Sequence, residues 1–150
     1  MSGPVGPLRW AVKESFIDYI RRLDDGTIDV FDGCSLDDGV FLFPGESERD
    51  GSMLFRGGVR FTGFAGMLDV RIVDPLVETA GAEGAFSALV GPPSIAARVT
   101  LAMLEGAPSR RSHQRWTASP RLTFEGARIF GDVYPVGTEL APLIVDSETS

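Results

Sequence analysis

The chain of 150 residues holds few of the side chains on which most enzyme and metal sites depend. Cys34 is its one cysteine and His113 its one histidine, which excludes an intramolecular disulfide and disfavours a zinc site. No P-loop, GxGxxG, GxSxG or HExxH motif occurs. Cys34 lies in a turn-like sequence without a ligand partner at metal spacing, so we interpret it as structural or incidental.

Long apolar runs and positive charge are also lacking. The formal net charge is −7, and the only basic group, Arg110 and Arg111 with Arg115, is interpreted as a solvated loop, or alternatively as a carboxylate or propionate contact. Nucleic acid is therefore excluded as a partner. No run of 18 apolar residues is present, which excludes a transmembrane helix. Residues 1–7 lack the features of a signal peptide, which predicts a cytoplasmic protein.

The remaining composition is that of one soluble globular domain, with 43% hydrophobic and 23% charged residues. We expect a flexible lead at 1–7, a single domain at 8–146 and a flexible tail at 147–150. Hydrophobic spacing predicts a short N-terminal helix at 8–23, ended by Asp24-Asp25-Gly26, and a short C-terminal helix at 126–134.

Between and after these helices, short alternating runs are bounded by turn residues. They predict strands at 27–31, 40–43, 53–56, 59–62, 67–73, 76–79, 85–90, 96–102, 116–118, 121–124 and 143–145. Asp74-Pro75 is predicted to separate two of them, and the polar stretch 46–52 to form a hairpin loop. Many short strands at nearly regular spacing predict a mainly β fold, an antiparallel β-sandwich or open barrel.

The first helix carries the most distinctive chemistry. Ser15 and Tyr19 are four residues apart, so a helix places both on one side, next to the apolar side chains of Trp10, Phe16 and Ile20. Such a face can hold a flat ligand with a polar or metal centre. It is equally typical of an ordinary amphipathic helix.

Three separated motifs in this sequence resemble the HtaA domain, the haem-binding module of actinobacterial haem uptake. The first is L-x-W-x-V-K-x-S-F-x-x-Y, which ends at Tyr19. The second runs from Phe55 through Phe61-Thr62-Gly63 to Val70. The third comprises 126–130, Tyr134 and 137–143. Together they cover nearly the whole chain in the family's order.

The resemblance implies that Tyr19 is the axial ligand of a ferric haem, and that Ser15 and Tyr134 lie near the haem propionates. A tyrosinate oxygen is hard and favours Fe(III). Family members carry a histidine after F-T-G that donates a hydrogen bond to the ligand tyrosine, but this sequence has Phe64 there. That difference is expected to weaken ferric haem binding, while Phe64 and Phe16 contribute apolar pocket surface.

Three hypotheses therefore stay open. The first is a cytoplasmic, HtaA-like protein that binds haem through Tyr19, Ser15, Tyr134, Phe64 and Phe16. The second is the same fold used as a biosynthetic enzyme, of the cyclase or isomerase type, acting on a hydrophobic small molecule without haem. The third is a binding module without chemistry. Whether the protein forms a homodimer is left open.

Overall fold

The computed structural model describes residues 5–79, 83–104 and 115–146, which form thirteen strands and two α-helices. In chain order the strands are Leu8–Trp10 (β1), Thr27–Phe31 (β2), Ser35–Asp37 (β3), Val40–Phe43 (β4), Gly45–Arg49 (β5), Ser52–Phe55 (β6), Gly58–Gly63 (β7), Leu68–Glu78 (β8), Gly84–Val90 (β9), Ala97–Leu104 (β10), Trp116–Ala118 (β11), Pro120–Leu122 (β12) and Leu143–Val145 (β13). The helices are Glu14–Arg22 (α1) and Phe124–Ile129 (α2), and 3-10 turns occupy Phe64–Gly66 and Pro93–Ile95.

These strands form two antiparallel sheets, which confirms the predicted mainly β fold. The smaller sheet has the order β11-β13-β1-β4-β3. The larger has the order β12-β10-β9-β8-β6-β5, and β7 pairs with both β8 and β2. Neither described helix is long or apolar enough to cross a membrane.

Aromatic side chains join the two sheets across the core. Trp10 of β1 meets Phe86 of β9 edge to face, with ring centroids 4.9 Å apart, and Phe41 of β4 meets Phe61 of β7 at 5.8 Å. All four rings are almost completely buried. Burying each side chain of this size stabilises the fold by about 1.5–3 kcal/mol. The core also includes Val5, which precedes the predicted start of the domain.

Strand β8 runs through the predicted break at Asp74-Pro75. The strand pairs with β7 up to Val73 and with β6 from Leu76, and its register on β9 shifts between these two residues. Asp74 adopts a left-handed conformation there, with φ 48°. Its backbone N–H donates to the Gly57 carbonyl at 2.8 Å, and its carboxylate accepts the Gly57 N–H at 3.1 Å. Asp74 and Gly57 thus hold β8 together across the register shift, and the strand continues.

The first helix is shorter than predicted, because its proposed first turns belong to the smaller sheet. Strand β1 pairs with β4 on one side and β13 on the other. Val12, with φ 62°, then turns the chain out of the sheet, and α1 begins at Glu14. Phe16, Ile17 and Ile20 form the buried face of α1. The prediction of helix over 8–13 was therefore wrong.

The second helix is displaced from its predicted range of 126–134. It begins after Thr123, whose side-chain oxygen accepts the Gly126 N–H at 2.9 Å. It ends before Gly131 and Asp132, which have φ of 73° and 59°. These left-handed residues cannot continue an α-helix, so Tyr134 lies in the loop that follows. The predicted hairpin loop at 46–52 was also wrong, because most of it forms β5.

Candidate functional site

The candidate site is built on the solvent-facing side of α1. Ser15 is exposed and Tyr19 is partly buried, one helical turn further on. Their side chains share this side because their neighbours Phe16, Ile17 and Ile20 point into the core. The predicted pairing of Ser15 and Tyr19 on one helical face is therefore found in the structure.

Tyr134 reaches this face from the loop after α2. Its hydroxyl and the Ser15 hydroxyl form a hydrogen bond of 2.8 Å, although the two residues are 119 positions apart. The Lys13 ammonium lies 5.3 Å from the centre of the Tyr134 ring, and it donates to the Glu139 carbonyl at 3.1 Å. The result is a group of two hydroxyls beside one positive charge, which suits an anionic oxygen group.

Phe64 approaches the other end of the same face. Its ring centroid lies 5.9 Å from that of Tyr19, with the two planes inclined at 48°. The side chain is 49% exposed, so Phe64 is a surface residue and not part of the core. Phe64 is thus the residue of the second motif that contacts Tyr19, as the resemblance implies for the family's histidine at this position.

The turn that carries Phe64 is held by a carboxylate. Phe64, Ala65 and Gly66 all have positive φ, of 51°, 54° and 90°. Asp25, just after α1, accepts the Phe64 N–H at 3.1 Å on one oxygen and the Ala65 N–H at 2.6 Å on the other. The Ala65 bond in particular lowers the pKa of the Asp25 carboxyl below its usual range, because it stabilises the ionised form.

Exposed apolar side chains flank these polar groups. Met67 follows the Phe64 turn and is 90% exposed, while Val133 and Val136 on either side of Tyr134 are each more than half exposed. Within the described parts of the chain, the Tyr19 hydroxyl has no hydrogen-bond partner. The face therefore combines a phenol oxygen available to a ligand with apolar surface on both sides of it.

The other side chains named from the sequence lie elsewhere. Phe16 is 1% exposed and its ring packs between Phe61 and Phe130, each with its centroid 5.1 Å away, so it supports α1 from inside. Arg115 pairs with Asp146 at 3.0 Å. The remaining residues of that loop, Arg110, Arg111 and His113 among them, lie outside the described residues.

Cys34 is a free, buried cysteine, and its thiol is not suited to bind a metal. Burial raises the pKa of its thiol to about 12, so it stays protonated and unreactive in the folded protein. In the described ranges no three His, Cys, Asp or Glu side chains come together in a group that could hold a metal ion. The Tyr19 phenol oxygen is a hard donor at this face, of the kind that favours Fe(III).

Sequence reasoning missed two residues of this face, Lys13 and Asp25. Lys13 immediately precedes α1 and belongs to the first motif, so its position was a usable signal. Asp25 sits in Asp24-Asp25-Gly26, where aspartate is expected for turn formation alone. Its role depends on a turn 39 residues away, and no local pattern predicts that contact.

The side of α1 away from Ser15 and Tyr19 borders a groove of about 590 Å³. Residues of α1 and of the β3–β4 hairpin surround it: Ala11, Glu14, Ile17, Asp18, Arg21, Leu36, Asp38, Gly39 and Val40. None of the residues predicted for the site lines this groove. The candidate site and the groove are therefore separate features on two sides of one helix.

Comparison with known proteins gives matches over most of the chain. The HtaA family profile, described as Htaa, matches residues 5–146. No curated protein matches the sequence. The chain is similar to the crystal structure of the C-terminal domain of HtaA from Corynebacterium glutamicum, with 27% identity and a TM-score of 0.76 over 95% of this chain and 96% of that one.

Two further structures from the same organism are similar. The haem-binding protein HtaB has 23% identity and a TM-score of 0.77, over 97% of this chain and 93% of that one. A domain-swapped dimer of a variant of the HtaA C-terminal domain has 26% identity and a TM-score of 0.65, over 89% and 91%. The HtaB match, at this identity, is a match of fold.

Proposed function

The chain belongs to the HtaA family, and from this premise we propose that it binds ferric haem, with the Tyr19 oxygen as the iron ligand. The observation that supports the proposal is the convergence of the three separated motifs on one face. Ser15 and Tyr19 come from the first motif, Phe64 from the second and Tyr134 from the third. Residues so far apart in sequence share this face only because the fold brings them together.

The donor set suits ferric haem. The residues of this face would hold ferric haem through one hard oxygen donor to the iron, polar partners for its two carboxylates and apolar contacts to the porphyrin. The phenol oxygen of Tyr19 is a hard ligand of the kind that favours Fe(III), and no other described residue occupies it by hydrogen bonding. Phe64 and Met67 on one side and Val133 and Val136 on the other offer apolar surface to the porphyrin.

The propionates have matching partners at the other end of the face. The hydroxyls of Ser15 and Tyr134 already bond to each other, and each can donate to a carboxylate instead. The Lys13 ammonium beside the Tyr134 ring adds the one positive charge of this group. Phe16 takes no part in this proposal as a contact, because its ring is in the core.

Phe64 sets the strength of the proposed bond. A phenol must lose its proton to bind iron, at a cost set by a reference pKa of about 10. The Phe64 side chain has no hydrogen-bond donor that could stabilise the deprotonated phenol. Attraction to the ferric charge would therefore have to offset the whole cost of deprotonation. We expect weaker haem binding than a neighbouring donor would allow, combined with an apolar contact to the porphyrin.

Titration with hemin tests the proposal. Wild type should give a Soret shift and the charge-transfer bands of a high-spin ferric tyrosinate complex. Tyr19→Phe removes the ligand oxygen and leaves the ring, so ferric haem affinity should fall more than tenfold, about 1.4 kcal/mol. Tyr134→Phe is the matched control, since it removes a phenol oxygen from the same face and should cost less. Equal affinities of wild type and Tyr19→Phe would remove Tyr19 from the site.

A second candidate function is an enzyme that acts on a hydrophobic small molecule without haem. The ring of Phe64 beside Tyr19 and the exposed apolar side chains around both favour it. This function predicts that hemin gives no Soret shift and that an apolar fluorescent probe binds to the wild-type protein. Size-exclusion chromatography of the same samples tests the homodimer, and fractionation of cells tests the cytoplasmic location.

A further inference from the structure

The turn that carries Phe64 has a conformation that its own residues disfavour. Three successive residues, Phe64, Ala65 and Gly66, lie in the left-handed region, and only the last is a glycine. For residues with a Cβ this region brings the Cβ too close to the following carbonyl. Such a turn persists only where its surroundings hold it.

Asp25 supplies that support. The adjacent N–H groups of Phe64 and Ala65 point to the same side, as successive left-handed residues allow, and each is taken by a different oxygen of the one carboxylate. Asp25 lies three residues after the end of α1 and is otherwise exposed to solvent. Its lowered carboxyl pKa agrees with a carboxylate that accepts two N–H groups.

The same helix also carries Tyr19. The carboxylate therefore connects the end of α1 to the turn, and the turn places the Phe64 ring 5.9 Å from the Tyr19 ring. The Phe64 side chain is 49% exposed, so the surrounding protein covers only about half of it. The distance between the two rings thus depends on a residue that touches neither of them.

We propose that Asp25 is a positioning residue of the Tyr19 site, which holds the 64–66 turn so that the Phe64 ring shields the Tyr19 oxygen and its ligand from water. The inference rests on the proposed binding of haem at Tyr19. Asp25 contacts no ligand itself. Its effect is on how long a bound ligand stays, because a loose turn admits water to the bond.

Two measurements on the haem-free protein test the positioning. In Asp25→Ala, amide hydrogen exchange at Phe64 and Ala65 should accelerate about tenfold. The NMR signals of the Tyr19 ring protons should also shift towards their values in Phe64→Ala, because the ring current of Phe64 is lost from them in both variants. Asp24→Ala, a change in the adjacent exposed aspartate, should leave both unchanged.

A third measurement uses the ferric haem complex. The rate of haem transfer to an excess of a haem-scavenging apoprotein should rise about tenfold in Asp25→Ala and equally in Phe64→Ala. Asp25→Asn keeps one acceptor oxygen and should fall between wild type and Asp25→Ala. Asp24→Ala should leave the transfer rate unchanged, and thermal unfolding of each variant separates the effect of Asp25→Ala from a general loss of stability.

Each measurement can overturn one part of the proposal. Unchanged Tyr19 signals or unchanged amide exchange in Asp25→Ala would overturn the positioning role, whether or not haem binds. Faster exchange with an unchanged haem transfer rate would overturn the link to ligand retention and leave the proposed function intact. If wild type binds no hemin, the proposed function fails, and the amide exchange and the Tyr19 signals still decide whether Asp25 positions Phe64.

Discussion

At the scale of single residues, the bond between Ser15 and Tyr134 joins the first and third motifs at one end of the site. It is an exposed hydroxyl–hydroxyl bond of 2.8 Å, for which a contribution of about 0.5–1.5 kcal/mol is typical. Ser15→Ala and Tyr134→Phe should each lower the free energy of unfolding by this amount. Because both remove the same bond, the double variant should lose no more than either one. Urea unfolding of all four proteins measures this, and additive losses would contradict it.

The proposed haem site makes position 64 the residue at which affinity for ferric haem should be raised. Phe64→His places a hydrogen-bond donor beside Tyr19, and a bond to a charged oxygen is worth about 1.5–3 kcal/mol, so ferric haem should bind at least tenfold more tightly. Phe64→Leu, which has no donor, is the control. Equal hemin affinities of the two variants would show that no such bond forms.

The stability of the Phe64→His variant is a separate matter. In an apolar reaction pocket, a buried polar ring without a partner would cost about 1–3 kcal/mol. Phe64 is 49% exposed, however, and histidine tolerates the left-handed conformation better than most residues. We therefore expect an unfolding temperature close to that of wild type.

At the scale of elements, the packing of α2 on β10 controls where the Tyr134 loop begins. A Cβ added to Gly126 would lie 2.0 Å from the Leu101 carbonyl oxygen of β10, so the helix would have to move away. Gly126→Ala should lower the free energy of unfolding by about 1–3 kcal/mol, as overpacking does. Glu125→Ala, exposed on the same helix, should change it by less than about 0.5 kcal/mol. Equal melting temperatures of the two variants would contradict this reading.

The elements predicted well from the sequence are those whose pattern lies within the element itself and the turns beside it. Strands β2 and β4 have alternating residues between turn signals, and both were found at their predicted bounds. The segment 8–10 also fits helical spacing, but it pairs with β4 and β13, and the latter lies more than 130 residues away. Local pattern contains no information about such a partner, so tertiary pairing overrode it.

The same division holds for the candidate site. Ser15 and Tyr19 could be placed together because helical spacing is local, and Tyr134 was connected to them only by the family resemblance. Phe16 was placed in the site, although a residue next to Ser15 on a helix faces about 100° away from it. Gly131-Asp132 was an overlooked signal that the second helix ends before Tyr134.

At the scale of the whole molecule, ionised carboxylates join neighbouring elements of the fold, Asp69 of β8 with β7 and Asp25 after α1 with the 64–66 turn. Asp69 accepts two hydrogen bonds from Arg60 at 2.8 and 2.9 Å, which lower the pKa of its carboxyl, and the Ala65 N–H does the same for Asp25. A carboxyl whose pKa is lower in the folded state adds stability above its ordinary pKa of 3.8, and this is lost as pH falls through the folded value.

We therefore expect acid destabilisation to be concentrated below about pH 4. The difference in unfolding temperature between wild type and Asp69→Asn should be constant from pH 7 to about pH 5 and should close as the pH falls further. Asp37→Asn, at an exposed aspartate of β3, is the control. Thermal melts at a series of pH values measure both. A gap between wild type and Asp69→Asn that is unchanged at pH 3 would contradict the assignment.

The separation of 119 positions between Ser15 and Tyr134 also orders events during synthesis of the protein. A growing chain that has left the ribosome as far as residue 104 already holds α1 and the Phe64 turn. It lacks Tyr134, and it lacks β13, the strand that pairs with β1. Neither a nascent chain nor an N-terminal fragment can offer the complete face to a ligand. The complete face therefore forms only after the segment that carries Tyr134 and β13 has been made.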